Sequence, residues 1–134
     1  MTVIIPLPWQ SPPADANRSL RSVAPRARAA AVRQIKSEAG WAIRAAKPTP
    51  VVAANVTLHY RPKDRRRRDA DGLFPVLKAV TDALVDCGVI PEDSWVTVPR
   101  AACEIHPPSD KGPAMWLELT PPDGEEFQAW GGAA

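Results

Sequence analysis

The sequence predicts a single-domain α/β (α+β-like) protein in which a mixed β-sheet packs against two main helices, in the order β-α-β-α-β-β. Apolar and polar residues alternate at residues 51–60, as in a strand with one covered face. Apolar residues recur every three or four positions at residues 26–46 and 73–87, as in amphipathic helices. The chain has 134 residues, which is enough for one hydrophobic core and too few for two.

The N-terminal half is predicted to contain a strand, a long loop rich in proline and serine, and the first helix. The strand covers residues 3–9, where Pro6 and Pro8 confine it to a sheet edge or end it early, because proline donates no backbone hydrogen bond. The helix ends before Pro48, and Gly40 weakens it by about 1 kcal/mol relative to alanine. The apolar face of this helix comprises Val32, Ile35, Ala39, Ala42 and Ala46.

The central strand, residues 51–60, is predicted to bury alternate residues. Its two faces comprise Ala54, Val56, Leu58 and Tyr60 on the covered side, and Asn55, Thr57 and His59 on the polar side. We therefore interpret His59 as an ordinary surface residue. His106, at a later strand end, has no partner that the sequence reveals.

The C-terminal half is predicted to contain the second helix, ended by Gly88, and two more strands at residues 94–106 and 114–120. The segment between these strands, PPSDKG, has the composition of a turn. We assign residues 1–120 to the domain and residues 121–134 to a flexible tail.

The charge of the chain is strongly asymmetric, although its net value is only +2. Residues 1–68 carry 14 Lys/Arg and three acidic residues, whereas residues 69–134 carry three Lys/Arg and 12 acidic residues. A basic half joined to an acidic half is typical of a polyanion-binding surface beside a carboxylate site.

Composition also limits the cellular setting that we expect. No apolar run approaches the roughly 18 residues of a membrane-spanning helix, and the N-terminus lacks a secretory pattern. Cys87 and Cys103 are not spaced as metal-finger ligands and are expected to be reduced thiols. The expected location is the cytoplasm, with no membrane partner.

A basic segment follows the central strand. Six of the 17 Lys/Arg residues lie within residues 61–68, and the segment contains no apolar side chain for packing. It could be a plain surface loop, but its position between a strand and a helix favours phosphate binding, for which arginine offers bidentate donors. The candidate DNA-binding residues of this segment are Lys63, Arg65, Arg66, Arg67 and Arg68.

Three aspartates form the candidate metal site. Asp69 and Asp71 are two residues apart, and would point to the same side if the backbone there is extended. Asp71 could instead cap the second helix. Asp93 could join them if the following strand runs beside the central strand. Three carboxylates suit a hard cation such as Mg²⁺, with Mn²⁺ as a substitute.

These residues belong to an ordered series of motifs within residues 64–98. The series is DRRRRDAD at residues 64–71, LKAVTDAL at 77–84 and GVIPED at 88–93. It resembles the RusA family of Holliday junction resolvases, which are crossover junction endodeoxyribonucleases. More loosely, the N-terminal strand, the Pro-rich loop and the basic helix extend the resemblance over most of the chain.

The resemblance implies a function and roles for individual residues. Asp69, Asp71 and Asp93 would bind Mg²⁺, and Lys78 would aid catalysis, although Lys78 could also simply pair with Asp82. Asn17 would correspond to a loop asparagine that contacts DNA, or else form a turn. Glu92 could assist the site as a neighbouring acid.

The expected activity is cleavage of four-way DNA junctions by paired symmetric nicks, in DNA recombination and repair. Such cleavage implies a homodimer, because two equivalent sites must meet one junction. We expect its interface on the last two strands, with Trp95, Trp116 and Leu117.

Two departures from the family pattern leave an alternative function open. Gly72 stands where the family usually has asparagine, and the stretch before Lys78 is three residues longer than in its shorter members. The alternative is a DNA-binding or regulatory protein that has lost nuclease activity.

Overall fold

A computed structural model describes residues 1–13, 24–124 and 126–131, and in it the chain forms four strands and two helices. The elements are β1 (Val3–Pro6), α1 (Pro25–Ala46), β2 (Asn55–Arg61), α2 (Phe74–Asp86), β3 (Ala101–Ile105) and β4 (Ala114–Thr120). This order, β-α-β-α-β-β, and the mixed sheet that it forms confirm the predicted fold class.

The sheet has the strand order β1-β4-β2-β3. β4 is antiparallel to both of its neighbours, and β2 and β3 are parallel, in a register that pairs Val56 with Ala101 and Tyr60 with Ile105. A parallel pair requires a connection that returns to the starting end of the sheet. Here α2 lies within that connection, so that the residues before and after it are fixed relative to β2.

Both helices pack on one face of the sheet. The predicted alternation of β2 is confirmed, since Val56, Leu58 and Tyr60 are buried in a single core together with Leu117 and Leu119 of β4. The helix side chains of this core are Ile35, Ala39 and Ile43 from α1, and Val76, Leu77, Ala79, Val80, Ala83 and Leu84 from α2. The opposite face of the sheet carries the polar side chains of β2 and β4.

Three strand boundaries differ from the prediction. β1 ends at Pro6 and β2 begins only at Asn55. Residues 94–97 form a turn instead of the beginning of a strand, because the backbone N–H of Val98 donates to the carbonyl of Ser94 at 2.7 Å. β3 consequently begins at Ala101, after Pro99, which cannot donate to a sheet ladder.

The helix ends follow simple backbone rules. α1 has a proline in its first turn and ends at Lys47, whose φ of 50° is left-handed. A 3-10 turn, Ala70–Leu73, precedes α2, and the N-cap of α2 is Leu73. The alternative role of Asp71 as a helix cap is therefore not observed. Gly88, with φ of 76°, follows α2 as predicted.

Part of the predicted tail is attached to the segment before β2. The backbone N–H of Val52 donates to Gln128 at 2.8 Å, and that of Trp130 donates to Pro50 at 3.0 Å. Phe127 packs against the core. Within the described ranges, no helix combines the length and the apolar character that crossing a bilayer requires.

Gly40 lies at the contact between the two helices and offers a test of this packing. A Cβ added to it would meet the flexible Arg44 guanidinium at 3.2 Å and the Cys87 sulfur at 3.9 Å. Because the Arg44 side chain can move aside, we expect Gly40→Ala to raise the free energy of unfolding by roughly 0.5–1 kcal/mol, through the lower backbone entropy of alanine in the unfolded chain. Urea denaturation followed by circular dichroism measures this change.

The bulkier Gly40→Leu is the matched control, and it should destabilise the protein by crowding Cys87. A lower urea midpoint for Gly40→Ala than for the wild type would show that the helices approach more closely here than the structure indicates.

Candidate active site and basic loop

Asp69 and Asp71 lie at the junction between the basic segment and α2. Asp69 has an extended backbone, and its carbonyl accepts from the Gly72 N–H at 3.2 Å, which closes the 3-10 turn. Asp71 lies inside that turn, so the extended geometry that would place both side chains on one side does not continue through it. Both aspartates are exposed to solvent at the start of α2.

Asp93 is held against α2 by Lys78. The Lys78 Nζ lies 2.5 Å from Asp93 Oδ2 and 3.0 Å from Asp82 Oδ1. The predicted ion pair between Lys78 and Asp82 is thus present. Asp93, which lies 15 residues after Lys78 in the sequence, forms a second ion pair with the same lysine. The hydrogen bond to Asp93 is the largest cause, and the bond to Asp82 the next, of the raised pKa of Lys78. Lys78 therefore carries a positive charge at neutral pH and cannot serve as a general base there.

The structure brings some of the predicted site residues together and leaves others apart. Lys78 and Asp93 are in contact, and Asp69 and Asp71 begin the same helix. Among the described residues, the three aspartates do not form a group with ligand atoms within 4.8 Å of one another. Such a group does form elsewhere, from His59, Glu104 and His106, and it could hold a metal ion.

Asp64 organises the basic loop, residues 61–68. Its carboxylate accepts from the backbone N–H of Arg66 at 3.1 Å, from the Arg66 Nη2 at 2.9 Å and from the Arg68 Nη2 at 2.8 Å. Arg68 also donates to the carbonyls of Asp64 and Arg66. The hydrogen bonds from the Arg66 side chain, followed by those from Arg68, hold the pKa of Asp64 well below its usual value of 3.8.

The four arginines thus divide into two pairs. Arg66 and Arg68 are held by Asp64, whereas the Arg67 side chain is 91% exposed and Arg65 is also exposed. Within the described chain, Arg67 has only a distant ion pair, with Asp69 at 3.9 Å. Arg65 and Arg67 are therefore the loop arginines whose donors are available to a ligand.

A groove of about 310 Å³ lies beside the basic loop. It is lined by Gln10, Ser11, Tyr60, Lys63, Arg66, Arg68 and Pro113. The Arg68 guanidinium lies 5.9 Å from the centre of the Tyr60 ring, which helps to fix its position. Three cationic side chains around one groove suit a bound phosphate group.

Several other predicted residues have clear outcomes. Asn17 lies outside the described residues, and Glu92 is exposed and accepts a hydrogen bond from Ser94. The prediction of Leu117 at a dimer interface is wrong, because Leu117 is fully buried in the core of the single chain and has no surface to offer. Trp95 is 83% exposed.

Sequence reasoning missed the histidines. The interpretation of His59 as a surface residue is wrong, because this side chain is only 6% exposed. His106, for which the sequence reveals no partner, has its Nε2 2.7 Å from the His59 Nδ1. Trp116 stacks on both imidazoles, with ring centres 5.2 and 5.1 Å away. The available signal was the presence of two histidines and two glutamates on strands that the mixed sheet could place side by side.

Comparison with known proteins does not identify the chain. No protein-family model matches the sequence, and a search of curated proteins returned no match. The functional argument therefore rests on the residues themselves.

Replacing Asp64 tests the organisation of the basic loop. In Asp64→Ala, we expect the Arg66 amide to lose protection from hydrogen exchange, because it loses its acceptor. The Arg68 guanidinium should become more mobile, because it keeps only its hydrogen bonds to two backbone carbonyls. The midpoint of global unfolding should change little, because exposed ion pairs are screened by solvent. Side-chain and backbone NMR relaxation of the arginines measures these effects.

The pH dependence has a definite sign. The pKa of Asp64 is lowered on folding. The stabilisation that its carboxylate gives to the basic loop is therefore fully present above the ordinary carboxyl pKa, and it is lost as the pH falls through the lowered value. The loop should therefore stay ordered at pH 4. Asp110→Ala, at an exposed acid of the β3–β4 turn, is the control. Unchanged arginine dynamics in Asp64→Ala would contradict the proposed organisation.

Proposed function

We propose that this protein is a divalent-metal-dependent endodeoxyribonuclease that resolves four-way DNA junctions in the cytoplasm. The observation that carries the proposal is the contact between Lys78 and Asp93. It attaches the last acid of the motif series to the helix at whose start Asp69 and Asp71 lie. The three candidate metal ligands and Lys78 thus lie just before α2, on it or in contact with it.

The donor chemistry of this region fits Mg²⁺ or Mn²⁺. Asp69, Asp71 and Asp93 supply only carboxylate oxygens, which are the ligands that these hard cations prefer. Asp69 and Asp71 are exposed and have no close cationic partner in the described chain, so their oxygens are available. A bound ion would supply Lewis-acid activation of water and would stabilise negative charge at the phosphate.

The other residues of the region have roles that follow from their charges. Lys78, which stays protonated, positions Asp93 and adds positive charge beside the scissile phosphate. Arg65 and Arg67 bind the DNA backbone as exposed cations, while Lys63 and the Asp64-held Arg66 and Arg68 line the adjacent groove of about 310 Å³. By motif, Asn17 would correspond to a loop asparagine that contacts DNA, and it lies outside the described residues.

A homodimer is part of the same proposal. A four-way junction is resolved by two nicks in symmetry-related strands, and a chain with one carboxylate site makes one of them. A two-fold dimer presents two sites to one junction. With Leu117 buried, the exposed apolar residues Trp95 and Val96 are the interface candidates that remain near the predicted strands.

Cleavage of a synthetic four-way junction tests the proposed activity. Wild-type protein should nick the junction in the presence of Mg²⁺, should be inactive with excess chelator, and should leave a linear duplex of the same sequence intact. Asp71→Asn should abolish cleavage and preserve or tighten binding, because it removes a metal ligand and a negative charge near the phosphates. Denaturing gels and electrophoretic mobility shifts measure the two properties.

Asp110→Asn, which removes an exposed acid far from α2 in sequence, should cleave at the wild-type rate. Cleavage by Asp71→Asn at that same rate would refute the metal-ligand role. Junction binding without any cleavage by the wild-type protein would instead support the alternative of a DNA-binding protein that has lost its nuclease.

The salt dependence of junction binding tests the proposal that Arg65 and Arg67 bind DNA phosphates. Replacing Arg65 and Arg67 with alanine should weaken binding to any DNA, because fewer phosphates are neutralised. The slope of log K against log [salt] should become shallower by about one unit for each phosphate that the variant no longer neutralises. Fluorescence anisotropy over a range of KCl concentrations measures this slope.

Lys111→Ala, in the turn before β4, is the control and should leave the slope unchanged. An unaltered slope in the Arg65 and Arg67 double variant would mean that these side chains do not bind phosphates.

A further inference from the structure

A second group of titratable side chains lies on the sheet face that the helices leave uncovered. Backbone pairing fixes its members: His59 of β2 is directly opposite Glu104 of β3, and directly opposite Trp116 of β4. His106 follows β3, and its backbone N–H donates to the carbonyl of Tyr60 at 2.8 Å. The group thus spans three adjacent strands, and this backbone hydrogen bond holds His106 just beyond the end of β3.

The distances within the group define a small ligand set. The His59 Nδ1 lies 2.7 Å from the His106 Nε2 and 3.7 Å from a Glu104 oxygen. One ligand atom from each of these three residues falls within 4.8 Å of the others. The three atoms are therefore close enough to one another to ligate a single metal ion.

Glu118 orients the central histidine. Its Oε1 lies 2.9 Å from the His59 Nε2, so this nitrogen carries the proton and donates to the carboxylate. The His59 Nδ1 is then left with a lone pair that faces His106 and Glu104. A histidine that donates its other N–H to a carboxylate is the usual arrangement of metal-ligating imidazoles, because it fixes the tautomer and raises ligand basicity.

Burial and access differ across the group in a way that suits a metal. His59 is only 6% exposed, and Trp116 stacks on both imidazoles, which shields the nitrogen ligands from water. Arg61 lies over the outer face of Trp116 and donates to the Gly112 carbonyl at 2.7 Å, which holds the tryptophan in place. The Glu104 side chain is 58% exposed, so the site has an entrance from solvent.

We propose that His59, His106 and Glu104 form a binding site for a zinc-type transition metal, separate from the aspartates at α2. Two imidazole nitrogens and one carboxylate oxygen favour Zn²⁺, Co²⁺ or Ni²⁺ over Mg²⁺. Three protein ligands leave one position of a tetrahedral ion to water or an added ligand. The bound ion joins β2 to β3, the parallel pair at the sheet edge.

Binding requires only a small rearrangement. With His59 in the tautomer that Glu118 favours, the His106 Nε2 of the metal-free pair would donate its proton to the His59 Nδ1, 2.7 Å away. Two nitrogens on a tetrahedral zinc ion are about 3.3 Å apart, given Zn–N bonds of about 2.0–2.1 Å. His106 lies just beyond the end of β3, where the side chain can shift by that difference without breaking the ladder.

Zinc and cobalt titrations of the full chain, after removal of bound metal by a chelator, test this site. Calorimetry should show one high-affinity Zn²⁺ site per chain, in addition to any weaker zinc binding by the carboxylates at α2, and Co²⁺ should give the visible absorption of a tetrahedral complex with nitrogen ligands. Glu104→Gln, at an exposed ligand, and His106→Gln should remove this binding. Glu118→Gln keeps all three ligands and should weaken it by about 10- to 100-fold.

The double variant Asp69→Asn/Asp71→Asn is the matched control, and its zinc affinity should equal that of the wild type. Circular dichroism of each metal-free variant shows that it is folded. Absence of stoichiometric zinc binding by the wild-type chain, or equal affinity in wild type and folded Glu104→Gln, overturns the proposal. Loss of zinc binding in Asp69→Asn/Asp71→Asn would also overturn the proposal, because it would locate the ion at α2.

Discussion

The parallel pairing of β2 with β3 is the constraint on which the rest of this structure depends. Parallel neighbours must be joined by a crossover, and α2 provides it on the covered face of the sheet. The segment after α2 must return along this helix to begin β3. Asp93 lies in that segment and contacts Lys78. The same pairing places Glu104 opposite His59 on the other face. One topological feature therefore positions both groups of candidate ligands.

The residues that stabilise the fold and the candidate functional residues lie in different parts of the molecule. The buried apolar side chains of β2, β4, α1 and α2 form one cluster, and burial of such surface is the dominant stabilising contribution in folded proteins. The ion pairs of Asp64 and Lys78 are exposed, and pairs of that kind contribute little to folding. Substitutions at these charged residues should consequently alter function more than they alter the fold.

Periodicity predicted the fold because the main elements bury a regular stripe. Val56, Leu58 and Tyr60 of β2 are buried at alternate positions, and α2 carries Val76, Val80 and Leu84 at helical spacing, so tertiary packing agrees with the local pattern. The predicted strand at residues 94–106 was too long at its start. Trp95 and Val96 have strand-like composition, but the Ser94–Val98 hydrogen bond makes a turn in which both are exposed.

The candidate sites were only partly predictable, because some of their residues are close in sequence and others are not. Asp69 and Asp71 are only two residues apart in sequence, and the motif around them is visible without a structure. The partners of His59 are 47 and 59 residues away, and they become neighbours only when the strand order β4-β2-β3 is known. Alternation alone assigned His59 to a polar face and could not reveal that Trp116 covers it.

The central claim, that the two carboxylate segments around α2 share one divalent ion, is tested most directly by paramagnetic broadening. Substoichiometric Mn²⁺ added to ¹⁵N-labelled protein broadens the amide signals nearest to the ion. The account predicts that residues 69–72 and residues 92–94 broaden together and at the same Mn²⁺ concentration. Independent broadening of the two segments, or of neither, would contradict it.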